Sequence, residues 1–215
     1  SPPAARPRAV AATAATAGGI HWTFAPMVDI ARDPRWGRIA EGSGEDPFLG
    51  SAMATARVRG FQGTRLSDPA SLLACAKHFA AYGAAEGGRD YNTVDLSERT
   101  LREVYLAPFH AAVRAGAGTL MCSFNEINGV PSSANRWLLT DVLRGEWGFE
   151  GFVVSDWGSI GELQAHGVAG TRTDAGILGL DAGVEMDMMS GIYAKEMIAA
   201  AGAGGVPVQT IDGAV

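Results

Sequence analysis

Apolar residues collect in five short unbroken runs: WTFAPMVDI (22–30), LLACAKHF (72–79), TLMCSFNEI (119–127), GFVVSDW (151–157) and VEMDM (184–188). Continuous rather than alternating apolar character predicts strands buried on both faces, as in a parallel sheet. Most of the runs end on polar or charged residues, and helical patterns fill the intervals. The pair Asp46-Pro47 marks a helix start, with an acidic N-cap and proline at the first helical position, and predicts a helix over 46–60. A capping-box-like Asp95-Leu96-Ser97-Glu98 opens a second, through LREVYLAPFHAAVRAG, with Pro108 inside it as a kink point. Further helices are predicted over 135–146, 173–181 and 193–201. Strands alternating with helices make βαβ units and an α/β fold.

A doubly wound, nucleotide-carrying sheet needs a glycine turn opening the first helix. EGSGEDP lacks the G-x-G-x-x-G spacing, and Glu41, Glu45 and Asp46 would repel a pyrophosphate. A (β/α)8 TIM-like barrel fits better, because Arg38, Lys77-His78, Asn125-Glu126 and Asp156-Trp157 collect at or just beyond the C-terminal ends of strands. Five strand–helix units fall short of eight, and such barrels run to about 250 residues. The chain therefore reads as part of a larger barrel. Its exposed strand edges would favour a complementary chain or an oligomer that completes it.

Composition sharpens this only modestly. Of 215 residues, 47% are hydrophobic, and 17 Lys+Arg against 23 Asp+Glu leave a net charge of −6. That balance, without basic runs, argues against nucleic-acid or anionic-membrane partners. No apolar stretch approaches the roughly 20 residues that span a bilayer. The opening SPPAARPRAV has no apolar signal core. Cys75 and Cys122 each sit in an apolar run and read as buried free thiols. No HExxH, cysteine pair or histidine cluster suggests a metal, and nothing calls for a cofactor.

Asp156 is the first candidate for chemistry. A buried strand delivers its carboxylate beside Trp157, pairing an anion for an oxocarbenium-like carbon with a flat face for a sugar ring. An isolated Asp at such a turn equally caps the following helix. Lys77 and His78 can donate to sugar hydroxyls. As neighbours on a strand they would face opposite ways, so serving one site requires the strand to end or twist there. Otherwise they are a salt-bridged lysine and a satisfied core histidine. Arg38, in ARDPRWGR, could hold vicinal hydroxyls or a carboxylate, or pair with Glu41 or Glu45. Arg89 sits in the Gly-rich EGGRD loop, where a surface arginine is the default.

Together, APMVDIARDPRWGRIAEGSGEDP, AKHFAAYGAAEGGRDYNTVDLS and MCSFNEINGVPSSANRWLLTDVLRGEWGFEGFVVSDWGSI resemble family 3 of the glycoside hydrolases, in collinear order over nearly the whole chain. The loop AKHFAAYGAAEGGRDYNTVD and the tail from GIYAKEM look most like its bacterial periplasmic β-glucosidase branch. The resemblance implies retaining, exo-acting hydrolysis of β-D-glucosides and a periplasmic or secreted location. It puts Asp156 of VVSDW at the nucleophile position. Arg38, Lys77, His78 and Arg89 fall at sugar-binding positions, and Trp157 is a sugar platform. Phe124 stands where many relatives carry a tyrosine that contacts the nucleophile.

The family's early substrate-binding aspartate lies before the first motif here. Its acid/base glutamate comes from a C-terminal α/β sandwich domain. The chain is thus expected to be the central and C-terminal part of the barrel (1–215), without the first strands or that second domain. KHFAAYG lacks the proline of the KHFPGHG pattern and the loop histidine of the β-N-acetylhexosaminidase branch, which disfavours that branch. β-Xylosidase-type specificity, or an inactive carbohydrate-binding fragment, remains as an alternative.

Overall fold

The computed structural model describes residues 5–215. Helix α1 (Ala5–Ala17) leads into β1 (Trp22–Thr23), and α2 (Pro47–Gln62) follows the loop after it. The start of α2 is as the sequence predicts: Asp46 accepts from the Leu49 N–H, and proline occupies the first turn. Next come β2 (Leu73–Phe79), α3 (Glu98–Thr100), a π-helical turn over Leu101–Tyr105, and α4 (Ala107–Arg114). Pro108 lies in the first turn of α4, so the predicted kink is a junction between helical segments. The chain continues through β3 (Thr119–Cys122), the hairpin β4 (Glu126–Ile127) and β5 (Val130–Pro131), and a π-wound helix over Trp137–Glu146. The last elements are β6 (Phe152–Val154), α5 (Ser159–Glu162), α6 (Arg172–Ala182), a π-helical turn over Tyr193–Met197, α7 (Ile198–Gly202) and α8 (Val208–Ala214).

The sheet is parallel, in the order β1-β2-β3-β6. It forms part of a TIM-like barrel. The ladder at β1 is short because Pro26 has no N–H to give. Pairing nevertheless continues through the Ala25 and Pro26 carbonyls, which accept from Cys75 and Lys77. The fifth predicted strand, 184–188, joins through a single parallel bridge between Val154 and Met186, where Glu185 and Met186 both donate to the Val153 carbonyl. Two donors on one acceptor mark a bulge, not a ladder.

One face of the sheet packs against the helices, burying Leu120, Val153, Phe79 and Phe109 in the main core. The other carries Cys75, Met121 and Val154, with Trp22 and Met188 against them. Trp22 is a staple across this inner face. Its indole N–H donates to Thr119 Oγ1 at 2.9 Å, reaching past β2 to β3, and its ring meets Phe24 and Phe152 edge-on. No helix among the described residues is long and apolar enough to cross a membrane.

Cys75 and Cys122 are free and buried on opposite faces of the sheet. Burial pushes both thiols up to about 12, so thiolate is scarce at neutral pH. Both are expected to stay unmodified by an aromatic disulfide reagent at pH 8 in the native protein and to react once denaturant is added. Prompt modification of either thiol without denaturant would contradict this burial.

Candidate active site

Asp156 and His78 meet at the C-terminal edge of the sheet, where β2 and β6 release the chain. Register shifts between Lys77 and Phe79 along β2, and the Lys77–His78 and Phe79–Ala80 peptides are cis. Lys77 still pairs with Met121, whereas His78 drops out of the ladder. The strand thus breaks where a shared site requires. His78 is buried, with Nδ1 2.8 Å from Asp29 Oδ2 and Nε2 3.5 Å from Asp156 Oδ2.

Asp156 leaves β6 at the same level with its side chain 12% exposed. Its Oδ1 accepts from the Trp157 N–H at 2.6 Å. The residue preceding α5 is Gly158, and no side chain among the described residues caps that helix, so the capping alternative for Asp156 does not hold. Trp157 stands 63% exposed beside the carboxylate, an open flat face at the rim.

Arg38 takes the alternative left open for it. It binds Glu41 in bidentate fashion, Nε to Oε1 at 2.7 Å and Nη2 to Oε2 at 2.9 Å. Its guanidinium lies 5.6 Å from the centre of the Tyr82 ring. Arg38 holds the Glu41 carboxyl below the usual carboxylate range, with smaller contributions from Lys77 and His78. Arg38, Lys77 and His78 thus lie close enough to the Glu41 carboxylate to act on it. Lys77 is half-buried and makes no ion pair among the described residues. Arg89 is exposed, and its side chain has no hydrogen bond among the described residues.

The hub of this region is Tyr82, which sequence reasoning passed over. It is fully buried, and its ring meets Trp36 at 5.3 Å, His78 at 5.1 Å, and Phe124 and Tyr91 at 6.0 Å. Trp36 in turn donates to Asp90 at 2.8 Å, tying the PRWGR loop to the EGGRD loop. Phe124 is buried against Tyr91 and brings no hydroxyl to the site. Beside it opens a recess of about 360 Å³ lined by Tyr91, Phe124, Glu162, Ala165 and His166. Burial, and secondarily the charge of Asp156, raises the Glu162 carboxyl above its ordinary value, with His166 opposing.

Asp29 and Glu162 were also missed. For Asp29 a signal existed: a lone carboxylate inside the apolar run APMVDI must be held by something if buried. Among the described residues no group of three or more His, Cys, Asp or Glu is placed to hold a metal.

A family model described as the glycosyl hydrolase family 3 N terminal domain matches residues 7–215. The chain belongs to glycoside hydrolase family 3. Among its family 3 relatives is a periplasmic beta-glucosidase of Salmonella typhimurium, 46% identical over 205 residues that make up 95% of this chain and 27% of that protein. A beta-xylosidase of Formosa agariphila is 47% identical over 182 residues, 82% of this chain and 25% of that one. The crystal structure of a beta-glucosidase from Listeria innocua, also solved in complex with glucose, superposes with a TM-score of 0.96 at 44% identity, covering 98% of this chain and 30% of that one. The chain thus spans about a quarter of the length of the curated family 3 relatives it matches. The periplasmic β-glucosidase likeness expected from the AKHFAAYG loop agrees with these matches.

Proposed function

We propose that this chain forms the central and C-terminal part of the catalytic barrel of a retaining, exo-acting β-glycosidase that takes β-D-glucosides or oligosaccharides. Asp156 is its nucleophile. The observation that carries the reading is the state of that carboxylate: delivered by a buried strand, nearly enclosed, faced by His78, and not engaged in capping a helix. Such a group can attack an anomeric carbon while Trp157 offers a platform for the ring.

Attack forms an ester between Asp156 and C1 as the leaving oxygen departs. Water then cleaves that ester, and the two inversions retain configuration. His78 and Lys77 supply hydrogen bonds to ring hydroxyls that can strengthen as charge develops at C1. Arg38 joins them by shifting some of its bonding from Glu41 to the sugar, and Arg89 binds only if its loop folds inward. The protonated catalytic acid lies outside these assignments. A periplasmic or secreted location follows from the Salmonella relative by analogy.

The test is the intact mass after incubation with 2,4-dinitrophenyl 2-deoxy-2-fluoro-β-D-glucoside, whose leaving group departs without acid assistance. One added fluoroglucosyl group mapping to Asp156 is expected. No adduct would overturn the assignment of a working sugar subsite to this chain. A second reading, β-xylosidase specificity, is favoured by the Formosa relative. Faster labelling by the matching 2-deoxy-2-fluoroxyloside would decide for it. Within the first reading, Lys77→Ala is expected to weaken sugar binding about 10-fold, seen as a raised half-saturation concentration for labelling. Unchanged half-saturation would remove Lys77 from the subsite.

A further inference from the structure

Asp29 lies in the segment after β1, with its side chain fully buried. Its Oδ2 accepts the backbone N–H of His78 at 2.9 Å and faces His78 Nδ1 at 2.8 Å, while Oδ1 has no hydrogen-bond partner among the described residues. A buried carboxylate is costly unless donors hold it, and both donors here belong to one residue. An ionised carboxylate can only accept, so the proton sits on Nδ1. The imidazole plane is then fixed with Nε2 toward Asp156, and the Tyr82 ring closes against it edge-on at 5.1 Å. At 3.5 Å from Asp156 Oδ2, Nε2 is not committed to a hydrogen bond with the protein, which leaves it for a hydroxyl of the sugar.

We propose that Asp29 is the positioning residue of this site: through one carboxylate oxygen it fixes the backbone, ring plane and Nδ1–H tautomer of His78, so that Nε2 addresses the nucleophile and the sugar above it. This rests on the reading of Asp156 as nucleophile. Asp29 itself does not touch substrate. It acts where the chain leaves β2, at a point where the sheet no longer sets His78 by ladder bonds. The same group therefore does for the ring and for the backbone what the strand does elsewhere. Orienters of this kind fix a tautomer through the nitrogen that the reaction does not use.

Two variants separate positioning from packing. Asp29→Leu removes the acceptor at similar size, whereas Asp29→Asn keeps an oxygen that can accept both N–H groups. Two readouts are taken on the whole chain. One is the long-range proton–nitrogen NMR pattern of the His78 ring, and the other is labelling by the 2-deoxy-2-fluoroglucoside, resolved into saturation and maximal rate. The wild type is expected to show the proton on Nδ1. Asp29→Leu should lose that signature and label roughly 10- to 100-fold less efficiently, while Asp29→Asn keeps both to a large extent.

A His78 proton found only on Nε2 in the wild type overturns the proposal. So does an unchanged ring spectrum in folded Asp29→Leu, or labelling that Asp29→Asn fails to restore. If Asp29→Leu does not fold, the wild-type spectrum and Asp29→Asn decide. If the wild type takes no label, the nucleophile reading fails and the catalytic part of this one fails with it. The ring spectrum still decides separately whether Asp29 fixes His78.

Discussion

Asp156→Ala is expected to abolish the covalent fluoroglucosyl adduct, with a loss of at least about 10⁴-fold in labelling rate, because it removes the atom to which the sugar bonds. The fold should survive. Among the described residues the polar partners of the Asp156 side chain are its neighbour's N–H and the His78 ring, and it caps no helix there. Unchanged circular dichroism and melting temperature, beside an unshifted mass after prolonged incubation, make the result specific. Asp156→Asn serves as the isosteric control and should be equally silent. Labelling that persists in either variant would put the nucleophile elsewhere.

Gly83→Ala should have the largest effect on stability among single-methyl changes near the site. A Cβ at Gly83 would overlap the Ile30 carbonyl oxygen and lie 2.9 Å from the Ile30 carbonyl carbon and 3.2 Å from the Ala31 Cα. These are backbone atoms of the segment that carries Asp29, so neither side can yield by turning a rotamer. Such overpacking costs about 3 kcal/mol, which for a chain of this size lowers the melting temperature by roughly 6–12 °C. Because Tyr82 is the adjacent residue, labelling should slow as well. Gly37→Ala is the control: nothing lies within 4 Å of the point where its methyl would stand, and its cost should stay within about 0.5 kcal/mol. Equal melting temperatures for the two variants would refute the close approach of these segments.

Alternation of buried runs with capped helices made the α/β architecture legible, and Asp46 caps its helix as its chemistry dictates; the second helix is capped by Ser97 where the Asp95–Glu98 spacing pointed to Asp95, and Pro108 opens a segment of its own where a kink was expected. Less legible were the places where tertiary pairing decides. The run 184–188 reads as a strand but contributes one bridge, because two N–H groups compete for the Val153 carbonyl. Helix α1 escaped notice because its alanine-rich sequence has no pronounced apolar stripe.

At the site, Asp156 stood out because a charge ending a buried strand is visible in one dimension. The partnership of Lys77 and His78 depends on a break in register that no period reports. Asp29 and His78 are 49 residues apart in sequence, and only the packing of β1's continuation on β2 brings them together. Arg38 and Glu41, three residues apart, were legible as a pair but not as the choice made between pairing and an open guanidinium.

The hydrogen bond from Trp22 to Thr119 has a consequence for synthesis. A ribosome adding about 5–20 residues per second needs roughly 5–20 s to make the 97 residues that separate the two ends of this bond. Throughout that interval the first strand has no third strand to be fastened to. Trp22 and Phe24 are then open apolar surface on a nascent chain, and β6, whose Phe152 completes the cluster and whose pairing completes the sheet, is made later still.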